Sequence, residues 1–251
     1  MKTTTITLAA TVLALTCAAA ANAQQTNAPG AQNSTMPLGD KVFIGVNVGA
    51  QTRSSTVSKD FSFDIYRETA TATVGSGVGG GAIFDISGGY RFGSQFGVAV
   101  GYSRFGDTGV SQGSASIPNP TFFNRPAVTA IGPTDTKRTE HATYVVLVGF
   151  LPVGEKSDLS LFVGPAFTKV SQDLVYDISV VPGTQSVVSP SRNETGTAKG
   201  INIGADLSYR FRKQVGAGVF VRYIGGSVDL PSISDVKAGG VQLGIGARFR
   251  F

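Results

Sequence analysis

Seven charged residues occupy positions that alternate with apolar ones: Asp85, Arg91, Asp206, Arg210, Arg222, Arg248 and Arg250. Successive side chains of a β-strand point to opposite faces, so the seven share the face that the apolar stripe leaves. Carboxylates and guanidiniums withdrawn from water must pair or stay hydrated. Two kinds of chemistry follow. Asp85, Asp206 and Arg222 can lock into a salt-bridged layer, which is the preferred reading. Alternatively, the arginines near one end, Arg91, Arg210, Arg248 and Arg250, can line a narrow path for anions, unless Glu155, Asp158 or Asp40 neutralises them at the rim. A tight turn at 212–214 sets Gly204 opposite Arg222. Asp206 then stands on the diagonal, within reach of a long side chain.

Other chemistry is thin. No His, Cys or carboxylate pair has metal-ligand spacing, so no cofactor or metal is expected. The run from Gly75 to Gly81 superficially suggests a phosphate loop. No Lys-Ser/Thr closes it and no helical pattern follows, so it reads as loop glycine. Pro120 to Pro126 contains Phe122 and Phe123 beside Arg125, an exposed patch that can contact a partner or lean on the rest of the molecule.

The elements that must position these groups are strands. Eight segments alternate: about 41–51, 82–92, 96–105, 141–151, 159–169, 199–211, 215–224 and 240–251. The first puts Val42, Ile44, Val46, Val48 and Ala50 on its apolar face, and the fourth puts Ala142, Tyr144, Val146, Val148 and Phe150 there. In the last, Val241, Leu243, Ile245, Ala247, Phe249 and Phe251 face one way, and Arg248 and Arg250 the other. Each segment is close to the ~9–11 residues that a tilted strand needs to cross a membrane. Connections at 93–95, 152–158 and 212–214 are short, whereas 52–81, 106–140, 170–198 and 225–239 are longer. That alternation is the one transmembrane barrels show between periplasmic turns and outer loops. Leu174, Tyr176, Ile178 and Val180 alternate before Pro182-Gly183, so strands five and six are expected to continue beyond the membrane as a hairpin. Phe61, Phe63 and Ile65 alternate as well, and a hairpin there would raise the count to ten. The glycine run favours a flexible return and eight strands.

Composition agrees with alternation rather than apolar blocks. Thirty-three of 251 residues are glycine, about twice the usual share, and charged residues are 15% against a usual ~25%. No later stretch approaches 18 consecutive apolar residues, so membrane helices are not expected. Residues 1–23 carry Lys2, an apolar run and Ala21-Asn22-Ala23, the pattern of a signal peptide cut before Gln24. Removing them takes Cys17 away, leaves no cysteine for a disulfide, and lowers the formal charge from +5 to +4. That modest excess has no basic tract and does not indicate nucleic acid. Residues 24–39 read as a disordered periplasmic lead-in and 40–251 as the barrel.

The pattern over 40–251, ending on Phe249 and Phe251, resembles the small outer membrane β-barrel superfamily. That superfamily includes the transmembrane part of outer membrane protein A and the OmpX-like and opacity-like "porin family" proteins. The resemblance implies an all-β fold, an eight-stranded antiparallel up-and-down transmembrane β-barrel. It implies a monomer in the outer membrane of a Gram-negative bacterium, with outer membrane lipid and the barrel-insertion machinery as partners, Phe249 and Phe251 serving as the insertion signal. With strand eight closing the pattern, no peptidoglycan-binding domain is expected after it. The function expected is a non-catalytic structural or adhesion-type role, with an extracellular ligand met through the long loops. A narrow passive porin is the alternative, and a lipid-modifying enzyme is the remote one. Barrel-type lipid A deacylases carry a His-x-Ser pair with a nearby glutamate. Here His141-Ala142-Thr143 beside Glu140 departs from that pattern at the nucleophile. Without tryptophan, an interfacial girdle would use Tyr90, Tyr102, Tyr144, Tyr209, Tyr223 and the phenylalanines.

Overall fold

The computed structural model describes residues 41–52, 55–181 and 186–251. The expected signal peptide with Lys2 and Cys17, the lead-in, Asp40 and Pro182-Gly183 lie outside these residues. The described strands are β1 (Val42–Gln51), β2 (Ser55–Ile65), β3 (Glu68–Val78), β4 (Gly81–Phe92), β5 (Phe96–Ile117), β6 (Ala127–Pro152), β7 (Ser157–Val175), β8 (Ser179–Val181), β9 (Ser186–Val188), β10 (Ser191–Arg210), β11 (Val215–Leu230) and β12 (Ile233–Arg250).

Eight of them close a ring. β1 pairs with β4 and β12, β4 with β5, β5 with β6, β6 with β7, β7 with β10, β10 with β11, and β11 with β12, all antiparallel. Closure matters because an unpaired strand edge in lipid would leave backbone donors and acceptors unsatisfied. At the seam, Val42 N donates to Phe251 O at 2.9 Å and Phe251 N donates to Val42 O at 2.8 Å. The short connections 93–95, 153–156 and 211–214 lie together at the seam end.

The other end departs from the loops expected there. β5 runs 22 residues and β6 runs 26, far more than the ~9–11 needed to cross a membrane. The 106–140 connection is therefore mostly strand, and only 118–126 turns. The 170–198 segment extends as a hairpin, as expected, and adds the small β8–β9 ladder. β2 and β3 form a hairpin too, but not a ninth and tenth strand of the ring. Beyond the last β4 pair, Ala82↔Gly106, β3 takes over the edge of β5 from Gly77↔Val110 to Thr71↔Ser116. The expected flexible glycine return is corrected here: Gly75 and Gly77 lie inside β3. Gly109 and Gly113 face backbone at about 2.1 Å from where a Cβ would stand, so glycine lets β3 and β5 approach.

Polarity inverts along the wall. Near the seam end, apolar side chains face out: Val98 and Val100 on β5, Leu161 and Val163 on β7, Leu243 and Ile245 on β12 are all exposed. Farther along, apolar side chains turn in. Val57, Val170, Leu174, Ala198, Val228, Leu230, Val236 and Ala238 form one buried cluster, and Ala72, Val74, Ala115, Ile117, Ile131, Val175 and Ile178 form another. Outward positions there carry Lys, Asp, Thr and Ser. The first zone suits lipid outside, and the second suits water.

One face assignment is corrected. On β6 the residues Ala142, Tyr144, Val146, Val148 and Phe150 point into the barrel, and Thr143, Val145, Leu147 and Leu151 point out. The run is apolar on both faces, so alternation could not choose between them. Pairing does: outward Val98 and Val100 stand opposite Leu147 and Val145.

Candidate functional site

The lumen holds the first candidate site. Asp85 on β4 is 1% exposed and accepts hydrogen bonds from Asn47 Nδ2 at 2.7 Å, Tyr144 Oη at 2.7 Å and Arg222 Nη1 at 2.8 Å. Arg222 on β11 also donates to Gln242 Oε1 at 2.6 Å, Ser103 Oγ at 2.9 Å and Tyr144 Oη at 2.9 Å. A buried ion pair is tolerable only when its remaining hydrogen-bonding capacity is met, and four strands supply these partners. Gly101 makes room: a Cβ there would stand 2.4 Å from the Tyr144 ring.

The expected layer of Asp85, Asp206 and Arg222 keeps its first and last members and is corrected at Asp206. Gly204 does oppose Arg222, but Asp206 bonds Arg248 instead, and Arg222 reaches across the barrel to Asp85. Arg248 also donates to Asn47 Oδ1 at 2.6 Å. At the seam end, Asp158 receives Arg250 at 2.5 Å and lies 3.7 Å from Arg210 Nε. Arg210 donates to Glu155 O at 3.1 Å. Arg91 donates to Ser94 O and stacks 4.3 Å from the Phe150 ring centroid. The seven charged positions thus do share the lumen face, but in separate layers.

A further layer escaped the sequence reading. Arg138 is fully buried, pairs with Glu140 at 2.8 Å, and donates to Gln172 Oε1 and Lys237 O, both at 2.6 Å. Glu140 receives Gln51 Nε2 at 3.1 Å and Gly239 N at 3.0 Å, and Gln51 accepts from Gln242. One hydrogen-bonded column therefore runs Asp206–Arg248–Asn47–Asp85–Arg222–Gln242–Gln51–Glu140–Arg138–Gln172. Alternation signalled Arg138 and Glu140 as same-face residues. They lay in the segment read as a loop, so they were not placed in the lumen. From the Asp85 layer to Arg250 runs a cavity of about 90 Å³, lined by Phe43, Phe150, Phe162 and Ser160 among others. Beyond Arg138 the two apolar clusters fill the interior.

The second candidate lies at the far tip. Phe122 and Phe123 are 59% and 72% exposed, and the Arg125 guanidinium lies 6.0 Å from the Phe122 ring centroid. Asn119 Oδ1 accepts from Thr121 N and Phe122 N at 2.8 and 3.1 Å, which fixes the turn. Asn124 adopts φ 57° and donates its backbone N–H to Glu68 at 3.2 Å. This joins the 118–126 turn to the β2–β3 turn, where Tyr66 and Arg67 adopt φ 54° and 63°. Two-residue hairpin turns favour positive φ at both central residues, normally filled by Asn or Gly. Tyr66 and Arg67 hold it at a conformational cost, and Tyr66 is exposed. Away from the tip, at the β11–β12 turn, Glu194 accepts from Arg192 at 2.8 Å and from Ser232 N and Oγ at 2.9 and 2.8 Å. Burial alone would raise its pKa, but these bonds outweigh burial and hold it below the usual value.

His141 faces outward and its Nδ1 lies 2.5 Å from Tyr102 Oη. Glu140 faces the lumen, so the structure does not bring it to His141. Among the described residues no group of His, Cys and carboxylates could hold a metal ion.

A closed strand ring with a lipid-compatible exterior and a side-chain-filled lumen defines a transmembrane barrel. The family model for the outer membrane protein beta-barrel domain matches residues 7–249, and the chain belongs to that family. It is an outer membrane protein of a Gram-negative bacterium. No curated protein matches the sequence significantly. Among solved structures, the chain is similar to Ail, the attachment invasion locus protein of Yersinia pestis, at 17% identity and TM-score 0.40, covering 84% of this chain and 100% of that one. Neisserial surface protein A is similar at 16% identity and TM-score 0.43, covering 84% and 97%. OprG of Pseudomonas aeruginosa is similar at 12% identity and TM-score 0.43, covering 85% and 98%.

Proposed function

We propose that this protein is a closed, non-catalytic outer membrane barrel that acts at the cell surface by presenting its far tip to an extracellular ligand. The observation that carries the reading is the hydrogen-bonded column through the lumen, continued by apolar side chains. An eight-stranded ring leaves an interior that side chains just fill, and here both the polar and the apolar zones use it. With the interior occupied, the accessible chemistry is the aromatic and basic tip of Tyr66, Arg67, Phe122, Phe123 and Arg125. The proposal includes export and cleavage before Gln24. The lipid-modifying alternative is weakened because Glu140 and His141 stand on opposite faces of β6.

The test uses the intact protein in lipid vesicles, scored for retention on immobilised glycans and matrix proteins. Phe122→Ser with Phe123→Ser should abolish retention on whichever surface holds the wild type, since exposed aromatic anchors dominate such contacts. Undiminished retention by the variant would remove the tip from the function.

A further inference from the structure

The cavity between the Asp85–Arg222 layer and the seam end has a lining of two unlike kinds. Its body is apolar: β1, β5, β6, β7 and β11 supply Phe43, Ala99, Val148, Phe150, Phe162 and Phe220. The charges that also reach it are met within the protein. Arg222 pairs with Asp85, Arg248 with Asp206 and Arg250 with Asp158. Ser208 is engaged as well, since its Oγ accepts from Arg250 at 3.2 Å.

Two hydroxyls in the same lining are not engaged. Ser160 on β7 is only 7% exposed, Ser87 on β4 is half-buried, and both line the cavity. Neither side chain has a hydrogen-bond partner among the described residues. A buried hydroxyl without a partner is costly. A water would meet it, but a water needs several polar partners of its own, and most of this lining is apolar. An uncharged ligand with one hydroxyl and a short apolar body answers both needs. Size limits that body. An apolar cavity of about 150 Å³ holds benzene, so the volume here, about 90 Å³, suits a body of about four carbons.

We propose that this cavity is a binding site for a small uncharged alcohol, its hydroxyl bonded to Ser160 and its chain laid against Phe43, Val148 and Phe162. The ligand enters from the seam end, where the Arg250 side chain keeps 10% of its surface exposed, and stops at the Asp85–Arg222 layer. The site is a blind pocket. It is independent of the tip and needs no path through the barrel.

The experiment follows the backbone amides of the purified protein in lipid nanodiscs by NMR, with 1-butanol, butyrate and butylammonium as separate probes. 1-Butanol should shift the amides of Gly45, Ser87 and Ser160 saturably, with a dissociation constant on the order of millimolar. Its protons should show nuclear Overhauser contacts to the rings of Phe43 and Phe162. Both charged analogues should bind at least about tenfold more weakly, because the lining holds no charge that lacks a counter-charge for them to meet. Ser160→Ala should weaken 1-butanol about fivefold through loss of one hydrogen bond, and Ser160→Leu, which fills the space, should abolish binding. Leu147→Ala, on the lipid side of β6, should change nothing. If Ser160→Leu fails to fold, Ser160→Ala and the ring contacts give the reading. Absence of saturable shifts at the lumen amides would mean that the cavity holds water only. That result, butyrate binding as tightly as 1-butanol, undiminished binding by either Ser160 variant, or an equal loss from Leu147→Ala would each overturn the assignment.

Discussion

At the scale of the residue, the centre of the lumen depends on one pair. Arg222 and Asp85 are both nearly fully buried, and every hydrogen-bond partner they use comes from another strand. Removing one member of a buried pair leaves the other charge uncompensated, which typically costs about 3–5 kcal/mol. Arg222→Ala is therefore expected to destabilise the folded barrel by about that much in urea titrations from lipid vesicles. Unchanged stability would mean that Asp85 finds water or another donor. A second residue answers to pH. Because hydrogen bonds hold the Glu194 carboxyl below its ordinary value, the folded state binds its proton less readily than the unfolded chain does. Its stabilisation is present above the ordinary carboxylate range and is lost as pH falls through the lowered folded value. The protection of the Ser232 amide against hydrogen exchange, taken relative to its intrinsic rate at each pH, should therefore fall in acid, and Glu194→Gln should remove most of that acid sensitivity. Sequence placed Asp85 and Arg222 in one layer, but the direct bond between them, and the departure of Asp206 to Arg248, were not legible. Register gives neighbours on adjacent strands, which is why Gly204 opposite Arg222 could be read. A contact across the lumen depends on ring closure and on side-chain length, and neither is written in local alternation.

At the scale of the element, alternation was a reliable guide wherever one face of a strand was polar. β1, β4, β5, β7, β10, β11 and β12 present outward the stripes read from sequence. β6 does not, because Tyr144-Val145-Val146-Leu147-Val148 offers two apolar faces and a one-residue shift flips them all. Its inward face packs with Ala99, Ala166 and Phe43 around the lumen cavity. The far extensions of β5 and β6 were missed for the opposite reason. There the apolar residues face inward and are small, and Gly, Ser and Thr between them resemble loop composition. The face of β6 can be checked directly with Leu147→Cys and Val148→Cys, because removal of residues 1–23 would leave no native cysteine. Leu147 is 63% exposed and Val148 6%. A fluorophore on the first should be quenched by brominated lipid chains, and one on the second should be labelled poorly or stay unquenched. Reversed quenching would restore the face inferred from sequence.

At the scale of the whole molecule, two kinds of interior are stacked in one wall. The polar column from Asp206 to Arg222 occupies the lipid-surrounded zone, where the exterior already satisfies the hydrophobic requirement and the lumen must bury charge in pairs, and its Glu140–Arg138–Gln172 end reaches into the extension. The apolar clusters occupy the extension, where water is outside and ordinary core packing applies. The cavity of about 90 Å³, whose lining runs from Asp85 and Arg222 to Arg248 and Arg250, has space for a few waters, but the Arg222–Asp85 layer stands at one end of it. An ion crossing the molecule would have to break the Arg222–Asp85 and Arg138–Glu140 layers and then pass the apolar clusters. The wild type is accordingly expected to show no steady single-channel conductance in planar bilayers. Shortening Arg222 and Arg138 together should open at most brief, unstable events, because the apolar clusters beyond them remain. A steady anion-selective current in the wild type that falls on Arg248→Gln would mean that the arginine layers conduct, and would promote the narrow porin over the closed barrel.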